Sequence, residues 1–272
     1  WDLRDVPDIR FATDGEYQEA LLAGLSRSVA ARMRLAQPPV VSLSGGLDAN
    51  AVASVIAELV DAGQLSADGI TLMSAISLPG VVSLETQRIL SAQKYLSFPS
   101  RRIDASTLAD REAQMRAVME DSAHPLGVDS IYLAALFAEI AADGQRVWLG
   151  GAEADLVLYP GNVNLYYMLK TGEYQQVWQE AGLMARHYHA GEVNQASLVS
   201  RMLGQGLMSL LLPSRRLPAT QQRRHAEMLQ QPSFTETLYA ATMLAESFGV
   251  ELSHPFLDRR LVAFCVGLPL AQ

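Results

Sequence analysis

Short apolar runs with the character of buried strands alternate with segments of helical periodicity through the first half of this 272-residue sequence, and this alternation restricts the fold more than any other feature. Strands are predicted at 39–43, 70–76, 101–103 and 146–149, and helices at 13–34, 51–59, 84–96, 108–120 and 131–142. Thr13 and Glu16 predict a capping box for the first helix. Alternating strands and helices indicate an α/β fold, a mainly parallel sheet with helices on both faces.

After residue 160 the strand-like runs give way to apolar residues at helical spacing. Helices are predicted at 165–170, 174–189, 195–212, 221–229 and 234–248. The stretch 213–218 begins and ends in proline and is expected to be an irregular connection. We therefore interpret 1–160 as an α/β core and 161–272 as a mostly helical portion of the same domain.

Composition excludes several functional classes. The formal net charge of −8 argues against a broad nucleic-acid surface but leaves room for a local pocket that holds phosphates. No uninterrupted apolar stretch approaches the length of a membrane helix, so no membrane partner is expected. The single cysteine, Cys265, permits no disulfide within the chain and indicates a reducing, cytoplasmic location. It stands in an apolar run and is expected to be a packed helix residue rather than a nucleophile.

The segment Ser44-Gly45-Gly46-Leu47-Asp48 follows the first predicted strand and precedes its helix, which is where parallel sheets bind ligands. Two adjacent glycines let backbone amides approach an anion with no Cβ in the way, and the helix N-terminus adds positive potential. Ser44 adds a hydroxyl donor. The Asp48 carboxylate would repel a phosphate, but it is a natural ligand for Mg²⁺. The loop therefore predicts a nucleotide with magnesium.

This loop resembles the pyrophosphate-binding loop of the ATP pyrophosphatase superfamily, which has an adenine nucleotide α-hydrolase-like fold and cleaves ATP between its α and β phosphates. The stretches 71–76, 145–155 and 254–262 resemble the asparagine synthetase-like branch and follow in the same order. The resemblance implies ATP and Mg²⁺ as cofactors, with Asp48 and Asp155 as catalytic metal ligands. The nucleotide contacts that it implies come from Leu43, Ser44, Gly45, Gly46, Asp48, Ile76, Gly150 and Gly151.

Several residues depart from the family pattern. Relatives usually have serine after the loop aspartate, whereas this chain has Ala49 and then Asn50, which is the candidate to supply polar contacts instead. Ala152 stands where relatives have a residue that often helps catalysis. Glu153 is the catalytic candidate by a one-residue shift, with a salt bridge or a solvent-facing position as the alternative. The closing motif has Ser253-His254 where asparagine synthetases carry an arginine two residues before the proline.

Other charged residues have structural interpretations beside the functional ones. Asp155 would also suit a helix N-cap, and for Asp258, which precedes a helix predicted to begin at Arg259, capping is the preferred interpretation. The basic runs Arg215-Arg216 and Arg223-Arg224-His225 are interpreted as solvated helical faces, with steering of an acidic substrate as the alternative.

Two pieces of the family plan are expected to be absent from this chain. One is an N-terminal glutaminase-like domain, and the other is a C-terminal tail with a lysine that stabilises the transition states. We interpret the sequence as part of a longer protein.

The resemblance implies a ligase that adenylates a carboxylate, releases pyrophosphate and transfers the acyl group to an amine. The departures favour a macrolactam-forming peptide cyclase of the lasso-peptide type, with a precursor peptide and its processing proteins as partners. A β-lactam synthetase and a glutamine-dependent asparagine synthetase, acting on small-molecule carboxylates, are the alternatives. From another class, a catalytically degenerate binding or scaffold protein would suit Ala49 and Ala152.

Overall fold

The computed structural model describes residues 2–34, 37–78, 80–104, 106, 109, 112–121, 129–158, 164–187, 194–211 and 220–269. The strands are β1 (Val40–Ser42), β2 (Thr71–Ala75), β3 (Ser100–Ile103), β4 (Val147–Leu149) and β5 (Glu251–Ser253). The α-helices are α1 (Asp14–Arg32), α2 (Leu47–Asp61), α3 (Leu84–Ala92), α4 (Glu112–Asp121), α5 (Asp129–Ala142), α6 (Ala154–Leu158), α7 (Asn164–Thr171), α8 (Tyr174–His187), α9 (Gln195–Leu211), α10 (Gln221–Leu229), α11 (Pro232–Ser247) and α12 (Arg259–Gly267). Short 3-10 helices span Leu3–Asp5 and Pro255–Leu257.

The strands of the described residues form one sheet in the order β3-β2-β1-β4-β5, and every neighbouring pair is parallel. Val41 lies in register with Leu72 on one side and Leu149 on the other. The chain winds outward through β2 and β3 and then returns to the other side of β1, so the winding direction reverses between β1 and β4. Ligands of such sheets bind outside the carboxyl ends of the strands at this reversal.

The chain divides into two compact units. The sheet unit comprises Glu19–Ala154 and Pro232–Leu261 and contains all five strands of the described sheet. The helical unit comprises Trp1–Gln18, Asp155–Gln231 and Val262–Gln272. The predicted α/β fold, with a mostly helical second part, is confirmed.

Both faces of the sheet are covered. Alternate strand residues point to opposite faces, and Val40, Met73 and Trp148 share one buried cluster with residues of α5 and α11. Their neighbours Val41, Leu72 and Leu149 point the other way and are equally buried, with α2 in contact with β1. The prediction of helices on both faces is thereby confirmed.

The helical unit has its own core, built from α7, α8 and α9. The buried members of this cluster are Leu165, Met168, Val177, Ala181, Met184, Ala185 and Leu198. Cys265 is also buried within α12, so the prediction of a packed helix residue is confirmed, and burial raises the pKa of its thiol to about 12. The predicted capping box is present: Thr13 Oγ1 accepts from Glu16 N at 3.3 Å, and Glu16 Oε2 accepts from Thr13 N at 3.0 Å.

Strand β5 is the one strand of the described sheet that the sequence pattern does not predict, and helix α6 is not predicted either. It is three residues long, lies at the sheet edge and is hydrogen-bonded to β4, with Glu251 N donating to Arg146 O at 2.7 Å. Its extended form is therefore imposed by pairing rather than by residue type. The predicted connection at 213–218 lies outside the described residues. Within the described part of the chain, no helix is both long and apolar enough to cross a membrane.

Candidate nucleotide site

The loop that follows β1 is held in shape by hydrogen bonds within its own sequence. Leu43 is buried, and its N–H donates to Met73 O at 2.9 Å, which extends the pairing with β2 by one residue. Gly46 N then donates to Ser44 Oγ at 3.2 Å. The Asn50 side-chain amide donates to Ser44 O at 3.1 Å and to Gly46 O at 2.6 Å. Asn50 therefore contacts the loop itself, and its replacement of the lost hydroxyl towards a phosphate stays a prediction.

Helix α2 begins directly from this loop and presents its N-terminus at the carboxyl end of β1. Gly46 is the N-cap residue and supplies no side-chain cap. The first N–H groups of a helix have no partner within the helix and, with the macrodipole, favour an anion. Asp48 lies half-buried in this first turn. The arrangement suits a phosphate group accompanied by a metal ion near the carboxylate.

Three glycines test whether the loop is shaped for a ligand or only for packing. A Cβ at Gly45 would lie 2.7 Å from Glu85 Cγ and 2.8 Å from Glu85 Cα, so the start of α3 requires glycine there. A Cβ at Gly151 would lie 2.4 Å from both the Asp48 carbonyl carbon and Ala49 N. At Gly46 the nearest atom would be Ser44 Oγ at 3.4 Å. Packing does not require glycine at position 46, and this open face of the loop fits a closely approaching phosphate.

The loop after β4 adjoins the loop after β1 within the sheet unit. Gly150 N donates to Ser253 O at 3.3 Å, which continues the pairing with β5, and both Gly150 and Gly151 are buried. Glu153 is half-buried and has φ 71°, a left-handed conformation that residues other than glycine rarely adopt. The structure thus brings together the glycine pair at 150–151 and the loop at 44–48, which the sequence predicted as one site.

Asp155 is the second residue of α6 and therefore not its N-cap. Its side chain is exposed, and its Oδ1 accepts from Leu156 N at 3.0 Å. Asp155 belongs to the helical unit and Asp48 to the sheet unit, so a shared metal ion stays a prediction. Among the described residues no three His, Cys, Asp or Glu side chains cluster. Magnesium held between phosphates and one or two carboxylates needs no such cluster.

The end of β2, where the adenine contact is predicted, has its first two amides already engaged. Ile76 N donates to Ile103 O at 2.8 Å, and Ser77 N donates to Thr86 Oγ1 at 3.0 Å. An adenine at this strand end would therefore not use the N–H groups of Ile76 and Ser77. The Ile76 contact stays a prediction in this narrower form.

The closing motif has the capping role preferred for Asp258. Its Oδ1 accepts from Arg260 N at 3.0 Å at the start of α12, which confirms the cap. The carboxylate also pairs with Arg260 Nη2 at 3.1 Å and with Arg32 Nη1 at 3.5 Å. The hydrogen bonds from Arg260 hold the pKa of Asp258 at about 2. Asp258 is thus explained by structure alone.

The basic run on α10 is only partly a solvated face. Arg223 is exposed and pairs with Glu227 at 3.4 Å, as that interpretation requires. His225 contradicts it, because the side chain is buried and its Nε2 lies 2.9 Å from Leu156 O. Its place beside the apolar residues Ala226 and Leu229 on the inner side of the helix was the signal in the sequence. The run Arg215-Arg216 lies outside the described residues.

A cavity of about 670 Å³ lies within the helical unit. Arg10, Lys170, Glu173 and Gln221 are among its lining residues, and none of the predicted site residues is. Arg10 already pairs with Asp8, another lining residue, at 3.3 Å. The cavity is lined by the start of α10 at Thr220 and Gln221, but it lacks the glycine loop at a strand end that qualifies the β1 end as the candidate site.

A doubly wound parallel sheet with a glycine loop opening a helix at its winding reversal defines an α/β domain with a ligand site at that point. The family model described as asparagine synthase matches residues 20–272. The chain belongs to the asparagine synthase family, whose members are ATP-dependent amide-forming ligases that generally use Mg²⁺. A comparison with curated proteins found no match.

Proposed function

We propose that the chain adenylates a carboxylate with ATP, releases pyrophosphate and transfers the acyl group to an amine. The observation that carries this proposal is the packing of Gly151 against the backbone of Asp48 and Ala49, because it joins two strand-end loops into one site at the winding reversal. An anion-binding helix start and a carboxylate then lie in the same loop. Binding a nucleotide whose phosphates are accompanied by a metal ion requires both features.

The residues have distinct roles in this proposal. The amide of Gly45, the Ser44 hydroxyl and the first turn of α2 would hold phosphate oxygens. Gly46 would admit the phosphate at its open face, while its N–H holds the Ser44 side chain. Asp48 and Asp155 would hold Mg²⁺. When bound, ATP and Mg²⁺ supply an electrophilic phosphorus and neutralise the charge of the departing pyrophosphate. Asn50 keeps the loop in its binding shape through two hydrogen bonds to its carbonyl groups.

A peptide carboxylate suits the surroundings of the loop better than free aspartate. Glu85 contacts Gly45, and the segment that leads up to it exposes apolar side chains. Leu47 in the loop itself is 87% exposed and Val82 is 86% exposed. The other exposed members of this segment are Leu78, Val81 and Leu84. Aspartate is a small charged molecule that apolar side chains do not recognise, whereas a peptide brings apolar residues of its own. We therefore favour a macrolactam-forming cyclase of lasso-peptide type. For its location we favour a reducing cytoplasm, because the sequence has a single cysteine.

Exchange of labelled pyrophosphate into ATP tests the activation step. Candidate carboxylates are peptides with an Asp or Glu side chain, and free aspartate. We expect Asp48→Asn to lower the exchange rate by about 10²–10³-fold, the usual effect of losing one group that stabilises transition-state charge. The matched control is Asp61→Asn, which removes the same charge from the exposed far end of α2. Equal exchange rates in both variants would refute the site assignment.

The product distinguishes the alternatives. A cyclase converts a linear peptide into a product that is lighter by one water molecule, and the α-amine of the peptide is consumed. A glutamine-dependent asparagine synthetase instead yields asparagine from aspartate when ammonia is supplied. Binding of ATP without exchange, for every carboxylate tried, would indicate a degenerate binding protein.

A further inference from the structure

Helix α6, which carries Asp155, is too short to hold its own conformation. A helix of five residues gains very few internal hydrogen bonds against the cost of nucleation. The residue four positions after Leu156 is Pro160, which has no N–H to donate to the Leu156 carbonyl group. Val157 is fully buried and anchors one face by packing. The direction of the exposed Asp155 side chain then depends on what holds the backbone around it.

His225 holds the backbone next to Asp155 through a hydrogen bond. Its Nε2 lies 2.9 Å from Leu156 O, and because a carbonyl oxygen only accepts, Nε2 carries the hydrogen and donates. The imidazole is 3% exposed, so water competes little for this bond. The contact is made to the residue next to Asp155 and within the helical unit.

The helix that presents His225 is itself fixed at its start. Thr220 Oγ1 caps α10 by accepting from Arg223 N at 3.2 Å. Gln222 Nε2 donates to Val6 O at 2.5 Å, which fastens the first turn of α10 to the segment after the first 3-10 helix. Ala226 and Leu229 are buried on the same inner side as His225. The well-anchored helix α10 therefore holds the short helix α6 in place.

We infer that His225 is a positioning residue for the metal site: its Nε2–H fixes the backbone at Leu156 and thereby the carboxylate of Asp155. The inference rests on the proposed function, since it requires Asp155 to bind the metal ion. Residues that orient metal ligands are commonly worth about 10–100-fold in metal affinity. His225 acts through one backbone carbonyl, so we expect the lower end of that range.

The test measures Mn²⁺ binding by electron paramagnetic resonance, in the presence of an ATP analogue with a carbon bridge between the α and β phosphates. His225→Gln keeps an N–H donor near the place of Nε2, whereas His225→Asn is too short to reach. We expect the Mn²⁺ dissociation constant to rise about tenfold in His225→Asn and to stay near the original value in His225→Gln. Melting temperatures of both variants separate metal affinity from loss of fold.

Asp155→Asn is measured beside them and separates the metal-binding role of Asp155 from the positioning role of His225. If Asp155→Asn weakens Mn²⁺ binding and His225→Asn does not, the positioning role is wrong and the metal site stands. Equal weakening in the Gln and Asn variants also overturns the positioning role, because the donor would then be irrelevant. If Asp155→Asn binds Mn²⁺ unchanged, the metal role of Asp155 fails and the inference fails with it.

Discussion

Gly151 is packed against Asp48 so closely that a Cβ at residue 151 would lie 2.4 Å from the Asp48 carbonyl carbon. The contact is between two backbones, so neither partner can yield by turning a side chain. It joins the loop after β4 to the first turn of α2 at the winding reversal of the sheet. Gly151 was predicted from the sequence as a nucleotide contact. In the structure its lack of a side chain is what allows the two loops to meet.

Gly151→Ala should be strongly destabilising for this reason. The added methyl group displaces one of the two loops, and overpacking of this kind costs about 1–3 kcal/mol. Gly204→Ala in α9 is the matched control, since a Cβ at Gly204 meets nothing within 4 Å. Replacing a helical glycine by alanine should instead stabilise the chain by about 0.5–1 kcal/mol. Urea unfolding measures both changes, and shifts of the same sign would contradict the close approach.

Gly46→Ala should separate ligand binding from stability. A Cβ at Gly46 meets only Ser44 Oγ at 3.4 Å, and its backbone, at φ −86° and ψ 166°, suits alanine. We expect the free energy of unfolding to change by less than about 1 kcal/mol, as for a modest change at an N-cap. ATP binding, measured by calorimetry, should nevertheless weaken, because the methyl group occupies the open face of the loop. Unchanged affinity would mean that phosphate does not approach at Gly46.

The elements that were predicted correctly are those whose own residues determine them. Helix α1 has its capping box of Thr13 and Glu16, and β1 is an apolar run followed by a glycine turn. Strand β5 was not predicted because its pairing with β4, and not its residue types, makes it extended. Local sequence carries no information about a partner strand that lies a hundred residues earlier in the chain.

The site divides in the same way. The loop at 44–48 and the glycines at 150–151 were recognisable because their backbones must be free of side chains. The contact of Glu85 with Gly45 had no signal in the sequence, since two of the three Glu85 atoms involved, Cα and the carbonyl oxygen, are present in every residue. His225 was assigned to a solvated basic run because charge patterning does not distinguish a neutral buried imidazole from a charged exposed one.

Glu153 holds a left-handed backbone that should be measurable as strain. Its φ of 71° is one that glycine adopts freely and other residues adopt at a cost of about 1–3 kcal/mol. Comparing Glu153→Gly with Glu153→Ala removes the side chain in both cases and leaves only the backbone difference. We expect the glycine variant to be the more stable by about 1 kcal/mol in urea unfolding. An alanine variant of equal or greater stability would contradict the strained conformation.

The buried His225 and the half-buried His254 should make the chain less stable in mild acid. Burial lowers the pKa of His225, and burial together with the charge of Arg32 lowers the pKa of His254. Both ring nitrogens of His254 are buried with no hydrogen-bond partner. In the unfolded chain each imidazole has a pKa near 6.5, so below that pH the unfolded state binds more protons than the folded state. The stability that depends on the two neutral histidines is therefore fully present above pH 6.5 and is lost as the pH falls below it.

The slope of this loss is at most about 1.4 kcal/mol per pH unit for each histidine, the value for one proton. Asp258 does not contribute in the same range. Its pKa is lowered from 3.8 to about 2, so its stabilisation is lost only below pH 3.8. Urea unfolding between pH 7 and pH 5 should then be nearly independent of pH in the double variant His225→Gln, His254→Leu. The leucine also removes unpaired polar atoms from the interior, so this variant should be at least as stable as the original chain at pH 7. A slope that persists in it would assign the acid sensitivity to other groups.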